Sequence, residues 1–163
     1  MDKFEIFKKL AHYIAAINKV TLIDAEELFE SYEVCEDGEV IEMYNDKFKL
    51  NDHPFHLEFQ EYKQDDTYYL NMNVHLGYAR EMLDVCNLIN RLGVHIKEPL
   101  IYYELVAGEE VYLPFRYESK SIVDSMSVVK SWLNKLFSEE AKDDLKIITE
   151  LCSFTQEEAH NFQ

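Results

Sequence analysis

The sequence predicts an α+β fold: an antiparallel five-stranded sheet, built from a three-stranded meander plus a hairpin, with helices packed on one face. Three observations predict it. Apolar residues recur at three and four residues near both ends and in the middle of the chain, and at every second residue between those stretches. Only four Gly and three Pro interrupt 163 residues, and 47% of the residues are hydrophobic, so the chain is neither disordered nor collagen-like. Turn signals separate the segments, but no run rich in Gly, Ser or Pro divides them. Residues 1–163 are therefore expected to form a single α+β domain with a helical N-terminal extension over 1–45.

The elements are expected in the order helix, short helix, three strands, helix, two strands, two helices. Phe4, Phe7, Leu10, Ile14 and Ile17 share one stripe of a helix over 3–18. Asp24, followed by Glu26 and Glu27, predicts the capped start of a short second helix running to about Tyr32, and residues 35–39 read as a turn. From Lys47 to Leu76 the period is two. Phe48 and Leu50 mark a short first strand before an Asp52-His53-Pro54 turn, and Phe55, Leu57 and Phe59 alternate with His56, Glu58 and Gln60. After a turn at 64–66, Tyr68, Leu70, Met72, Val74 and Leu76 alternate with Tyr69, Asn71, Asn73 and His75. Pro54 should lie outside the ladder.

Helical period returns over 78–92, where Met82, Val85, Ile89 and Leu92 face inward and Gly93 is expected to end the helix. A hairpin is predicted from 100–106 and 110–117 across Ala107-Gly108. Pro114 marks its last strand as an edge or a bulge. Ser121 with Asp124 resembles a capping box for a helix with Ile122, Met126, Val129, Leu133 and Leu136 buried. A final helix starts near Glu139 with Ser138 as its cap, and Ala141, Leu145, Ile148 and Cys152 face inward.

Charge narrows the partners. Sixteen basic residues face 32 acids, for a formal charge of −16, and residues 1–45 alone hold four Lys against eleven acids. Such a field repels phosphate backbones and anionic membrane surfaces, so neither nucleic acid nor membrane is an expected partner. It speeds encounter with a basic protein. The N-terminal segment carries charge through its first nine residues and reads as neither signal peptide nor membrane span. Three cysteines, Cys35, Cys86 and Cys152, lie far apart in the sequence, and an odd number argues against a disulfide framework. A reducing, cytoplasmic location follows as the expectation.

Enzyme signatures are missing from the sequence. There is no HExxH, no Cys/His quartet, no GxSxG elbow and no clustered glycines for a phosphate cradle. Cys35 sits among Glu33, Glu36 and Asp37, a setting that blunts a thiolate. The acid pairs Asp65-Asp66 and Asp143-Asp144 read as solvated residues. Histidine offers one opening: His53, His56 and His75, with Asp52 or Glu58, make a metal set only if strand register brings them together, and register is not readable from one sequence. The expectation is therefore no catalysis, no cofactor and no metal.

The polar sheet face is the most informative feature. His56, Glu58, Tyr69, Asn71, Asn73, His75, Tyr112 and Arg116 are rich in the Tyr, Asn and His that make adaptable contacts, and they are the candidate partner-binding residues. Tyr78, Leu83 and Cys86 widen the apolar arc of the 78–92 helix and are the candidate self-association residues of a homodimer.

The stretch Cys86-Asn87-Leu88-Ile89-Asn90-Arg91-Leu92-Gly93, closing a helix just before a predicted hairpin and a long amphipathic helix, resembles the corresponding helix end of the YbjN family. Over residues 46–137 the element order is also similar to that of the type III secretion chaperones. Asn at such a helix end can bond backbone groups of the next segment. The resemblance implies a small acidic chaperone-like or adaptor protein that binds another polypeptide, basic or incompletely folded, without catalysis. The alternative carried by the charge is an acidic stoichiometric antagonist, either a toxin immunity protein or a phage anti-defence inhibitor, with the carboxylates at 24–42 gathered on one ridge.

Overall fold

Period-two stretches pair as strands and the longer-period stretches coil as helices in the computed structural model, which describes residues 3–20, 29–35, 38–43, 48–103, 109–121 and 124–160. The order is α1 (Lys3–Ile17), β1 (Phe29–Cys35), β2 (Gly38–Met43), β3 (Lys49–Leu50), β4 (His53–Pro54), β5 (His56–Gln64), β6 (Thr67–Tyr78), α2 (Met82–His95), β7 (Glu110–Ser119), α3 (Ser125–Leu136), α4 (Glu139–Leu151) and α5 (Gln156–His160). The class is α+β with an antiparallel sheet. Five strands run β1-β2-β5-β6-β7, and β3 and β4 form a separate two-stranded ribbon.

Those five are not the five expected. Residues 29–35 form a strand where the short helix was predicted, and residues 38–43 pair with it, placing Cys35 opposite Gly38. Tyr32 and Val34 alternate with Glu33, a period-two signal that outweighs the helical one carried by the acids upstream. Asp24 to Leu28, with the acids meant to start that helix, lie outside the described residues, as do Glu36 and Asp37 of the expected turn. The predicted first meander strand is reduced to β3, whose partner among the described residues is β4, and Pro54, expected outside the ladder, sits in this short one opposite Lys49. Its turn at Asn51-Asp52 has φ of 49° and 66°, left-handed values that the short Asn and Asp side chains tolerate. Asp65 and Asp66 adopt the same conformation between β5 and β6, at φ 50° and 64°, the geometry that favours a tight two-residue hairpin.

The predicted hairpin partner of β7 is also different. Leu100 to Tyr103 are not a strand, residues 104–108 lie outside the described residues, and β7 pairs with β6 along nearly its whole length. β7 ends the described strand order, and Pro114 sits within it opposite Asn73.

Leu57, Met72, Val74, Val111, Leu113 and Phe115 line the inner face, all fully or almost fully buried. Against them lie α2 through Val85, Ile89 and Leu92, α3 through Val129, Trp132 and Leu133, and α4 through Leu145 and Ile148. Trp132 stacks obliquely on Phe115 at 5.5 Å, and Phe55 links Phe48 to Phe137 at centroid distances of 6.3 and 6.4 Å. α1 joins α3 through a hydrogen bond between Tyr13 and Asn134.

Gly93 does not end α2. The helix continues to His95, and the stop is made by Lys97 at φ 59°, with Glu98 N–H donating to Gly93 O and Lys97 N–H to Val94 O in a Schellman pattern. Gly93 is needed for close approach: a Cβ there would stand 2.5 Å from Glu98 O and 2.9 Å from Leu100 N, where the chain folds back over the helix. Asn90 Oδ1 accepts from Tyr102 N–H at 3.1 Å and pins this return.

At the start of α3, Asp124 is itself the cap, accepting from Ser127 N–H and Ser127 Oγ–H, so no Ser121 box forms; Ile122 lies outside the described residues. Ser138 precedes α4, but its hydroxyl donates back to Lys135 O. Asp144, expected in solvent, is 3% exposed and clamps α4 to α2. Arg91 donates to its Oδ1 at 2.9 Å through Nε and 2.6 Å through Nη2, and His95 Nδ1 meets Oδ2 at 2.5 Å. None of the described helices is long and apolar enough to cross a membrane.

Candidate functional site

The outer face of β5, β6 and β7 is built in cross-strand rows. Register places His56 opposite His75 and His75 opposite Tyr112; Glu58 opposite Asn73; Gln60 opposite Asn71 and Asn71 opposite Arg116; and Tyr62 opposite Tyr69 and Tyr69 opposite Glu118. Since side chains alternate along a strand, all of these project to the side away from the helices. All eight candidate partner-binding residues stand on this one face.

The rows are cross-linked. Asn73 Nδ2 donates to Glu58 Oε1 at 3.0 Å and Asn71 Nδ2 to Gln60 Oε1 at 3.4 Å. Tyr62 and Tyr69 stack at 4.8 Å, and the Arg116 guanidinium lies 4.9 Å from the Tyr69 ring while Arg116 Nε pairs with Glu118 at 3.2 Å. Arg116 and Glu118 are exposed; the other members are half-buried by one another.

At one end of this face the histidines meet. The His56 and His75 rings stack nearly parallel, 4.2 Å apart with 9° between planes, and Tyr112 packs on His75 at 5.5 Å and against Tyr102 edge-on. Glu110, one alternation before Tyr112, places Oε2 3.3 Å from His75 Nδ1 and Oε1 3.8 Å from His56 Nε2. Glu58 Oε2 is 3.9 Å from His75 Nε2. Both His75 ring nitrogens are buried, and neither makes a well-aligned hydrogen bond, Nδ1 resting instead in the 3.3 Å contact with Glu110.

Of the sequence-predicted histidine set, His56 and His75 come together and His53 does not join them. The His53 ring instead bonds the Leu76 carbonyl. Its place is taken by Glu110, which was not among the sequence-predicted set. A bulge between His75 and Gly77, which pairs Gly77 with Val111, sets where Glu110 falls, and no local pattern announces it.

A cleft of about 720 Å³ opens beside these groups, with His56, His75, Glu110 and Tyr78 on one side and Cys152 to Gln156 on the other. Gly77, at φ 121°, lets that opposite wall approach, and Tyr78 O accepts from Phe154 N–H at 3.3 Å. Arg80 covers Phe154 at 4.2 Å and donates to Glu158 O, tying α5 to the wall. Burial pushes the Cys152 thiol up to about 12, so it stays protonated at neutral pH.

Burial lowers His56 from 6.5 to about 4; His75 adds to that shift, and Glu110 and Glu42 partly offset it. The neighbouring His75 in turn holds the Glu110 carboxyl below the usual carboxylate range despite its burial. Between pH 6.5 and 4 the unfolded chain thus takes up a proton at His56 that the folded chain refuses, and lower down Glu110 is protonated more readily in the unfolded chain. Both effects act in one direction: stability is expected to fall as pH drops through this window. Urea midpoints measured at several pH values between 7 and 4 check this, and a flat profile would contradict it.

The three candidate self-association residues differ in exposure. Tyr78 ends β6 half-buried, Leu83 is 64% exposed on α2, and Cys86 is only 4% exposed, inside the core. Of the acids at 24–42, those at 24–27 and 36–37 lie outside the described residues, while the backbones at 30, 33, 39 and 42 belong to β1 and β2. No family model, curated protein or solved structure matches the chain.

Proposed function

We propose that this protein is a non-enzymatic, chaperone-like or adaptor protein of the cytoplasm that binds another polypeptide through the outer face of β5, β6 and β7. The observation that carries the reading is the row structure of that face. It brings Tyr69, Asn71, Asn73, Tyr112 and Arg116 into one surface of aromatic rings, amides and a guanidinium, groups that give large contact area and adaptable hydrogen bonding. Glu58, Glu110 and Glu118 stand on the same face, and Glu42 pairs in register with Glu58, so the surface favours a cationic or incompletely folded partner. The resemblance to the YbjN family and the type III secretion chaperones implies a role of this class, and the succession β5, β6, α2, β7, α3 keeps part of the order on which that resemblance rests.

The test is affinity capture from the native cell, followed by titration of the captured partner against the wild type and a Tyr69→Ala/Asn71→Ala double variant. The expected result is a loss of at least tenfold in affinity, about 1.4 kcal/mol, with circular dichroism and a cooperative melt showing that the variant is still folded. Weakening of the wild-type interaction with added salt would mark the carboxylates as contributors. Binding that ignores the double substitution, or a chain that captures nothing, removes the reading.

A further inference from the structure

We propose that His56, His75 and Glu110 bind one divalent transition-metal ion of the zinc type at the mouth of the cleft. The donor set comes first. Two imidazoles and one carboxylate suit zinc, cobalt, nickel or copper, whereas calcium and magnesium prefer all-oxygen shells. One ligand atom from each residue already lies within 4.8 Å of the other two. At metal–ligand distances of about 2.0–2.2 Å, tetrahedral donors stand about 3.4 Å apart, so closing the set calls for side-chain rotations that turn the two stacked rings toward one point.

The backbone beneath the donors is fixed. His56 and His75 are directly paired across the β5–β6 ladder and Glu110 begins the neighbouring β7, so three adjacent strands each supply one ligand. His75 supplies the second observation: its side chain is only 13% exposed, and both ring nitrogens are buried without a well-aligned hydrogen bond. Leaving such atoms unsatisfied is costly. An ion on Nδ1, between His75 and Glu110, satisfies one, and Glu58 at 3.9 Å from Nε2 is placed to orient the ring from behind. The cleft leaves the fourth coordination position open to water or to a donor from a bound molecule.

The experiment uses the full chain and no partner. Zn²⁺ is titrated by calorimetry, and Co²⁺ is followed by its visible absorption, for the wild type, His56→Ala, Glu110→Gln and His53→Ala, with circular dichroism confirming that each is folded. The expected result is one ion per chain, a tetrahedral cobalt spectrum, at least a tenfold loss of affinity in His56→Ala and in Glu110→Gln, and none in His53→Ala. Zinc binding only in the millimolar range, or tight binding that all three variants retain, overturns the proposal, the latter by placing the ion among the surface carboxylates. Because metal uptake is read without a partner, its failure leaves the polypeptide-binding face untouched, and failure of that face leaves the metal result standing.

Discussion

Gly77→Ala is expected to lower the unfolding free energy by about 3 kcal/mol or more, a drop of about 6–12 °C in melting temperature for a chain of this size. Two independent costs add. At φ 121° the backbone occupies a region that L side chains rarely adopt, and the new Cβ would stand 2.6 Å from Cys152 O, a backbone atom that cannot swing aside. Relief requires the Cys152–Phe154 strip to move off β6, breaking the Phe154 N–H to Tyr78 O bond and widening the cleft. Thermal melts followed by circular dichroism measure the effect, and a variant melting within about 2 °C of the wild type would show that this approach is not structurally required.

Trp132→Ala should cost about 3–5 kcal/mol, the range for deleting a fully enclosed large aromatic. Trp132 is 2% exposed, and it joins α3 to the sheet through Phe115 on β7. The cavity would open between two rigid layers that cannot collapse into it. Since Trp132 is the chain's only tryptophan, its fluorescence reports wild-type unfolding directly, while the variant must be followed by circular dichroism in urea. A midpoint shift with unchanged slope is the expected form; a change below about 1 kcal/mol would mean that the α3–sheet contact is looser than its burial indicates.

The outer face was legible because β5, β6 and β7 alternate cleanly: once the core side of Leu57, Met72 and Leu113 is assigned, the opposite side of His56, Asn73 and Tyr112 follows. Pairing was not legible. Residues 110–117 carry the same alternation whether they face a hairpin partner at 100–106 or β6, and only long-range register decides. The short helix failed differently, since the cap-like Asp24 and its following acids describe local preference, and Phe29–Cys35 and Gly38–Met43 instead extend the sheet beside β5. One signal was present and unread. Thr155-Gln156-Glu157-Glu158 is a capping box, and in the structure Thr155 and Glu158 exchange reciprocal bonds at 3.2 Å to start α5. Asp144 was misread because acid pairs on a helix are usually solvated; only the packing of α2 on α4 reveals that Arg91 and His95 await it.

Pro114 has a consequence for how copies of this chain behave at high concentration. A ring nitrogen in the outermost described strand offers no hydrogen to a further strand laid alongside, and the charged Arg116 and Glu118 follow on the same strand. The sheet is thus self-terminating on that side. Molecules meeting edge to edge there find an interrupted template, which guards a tyrosine-rich, strand-rich chain against growing into fibres.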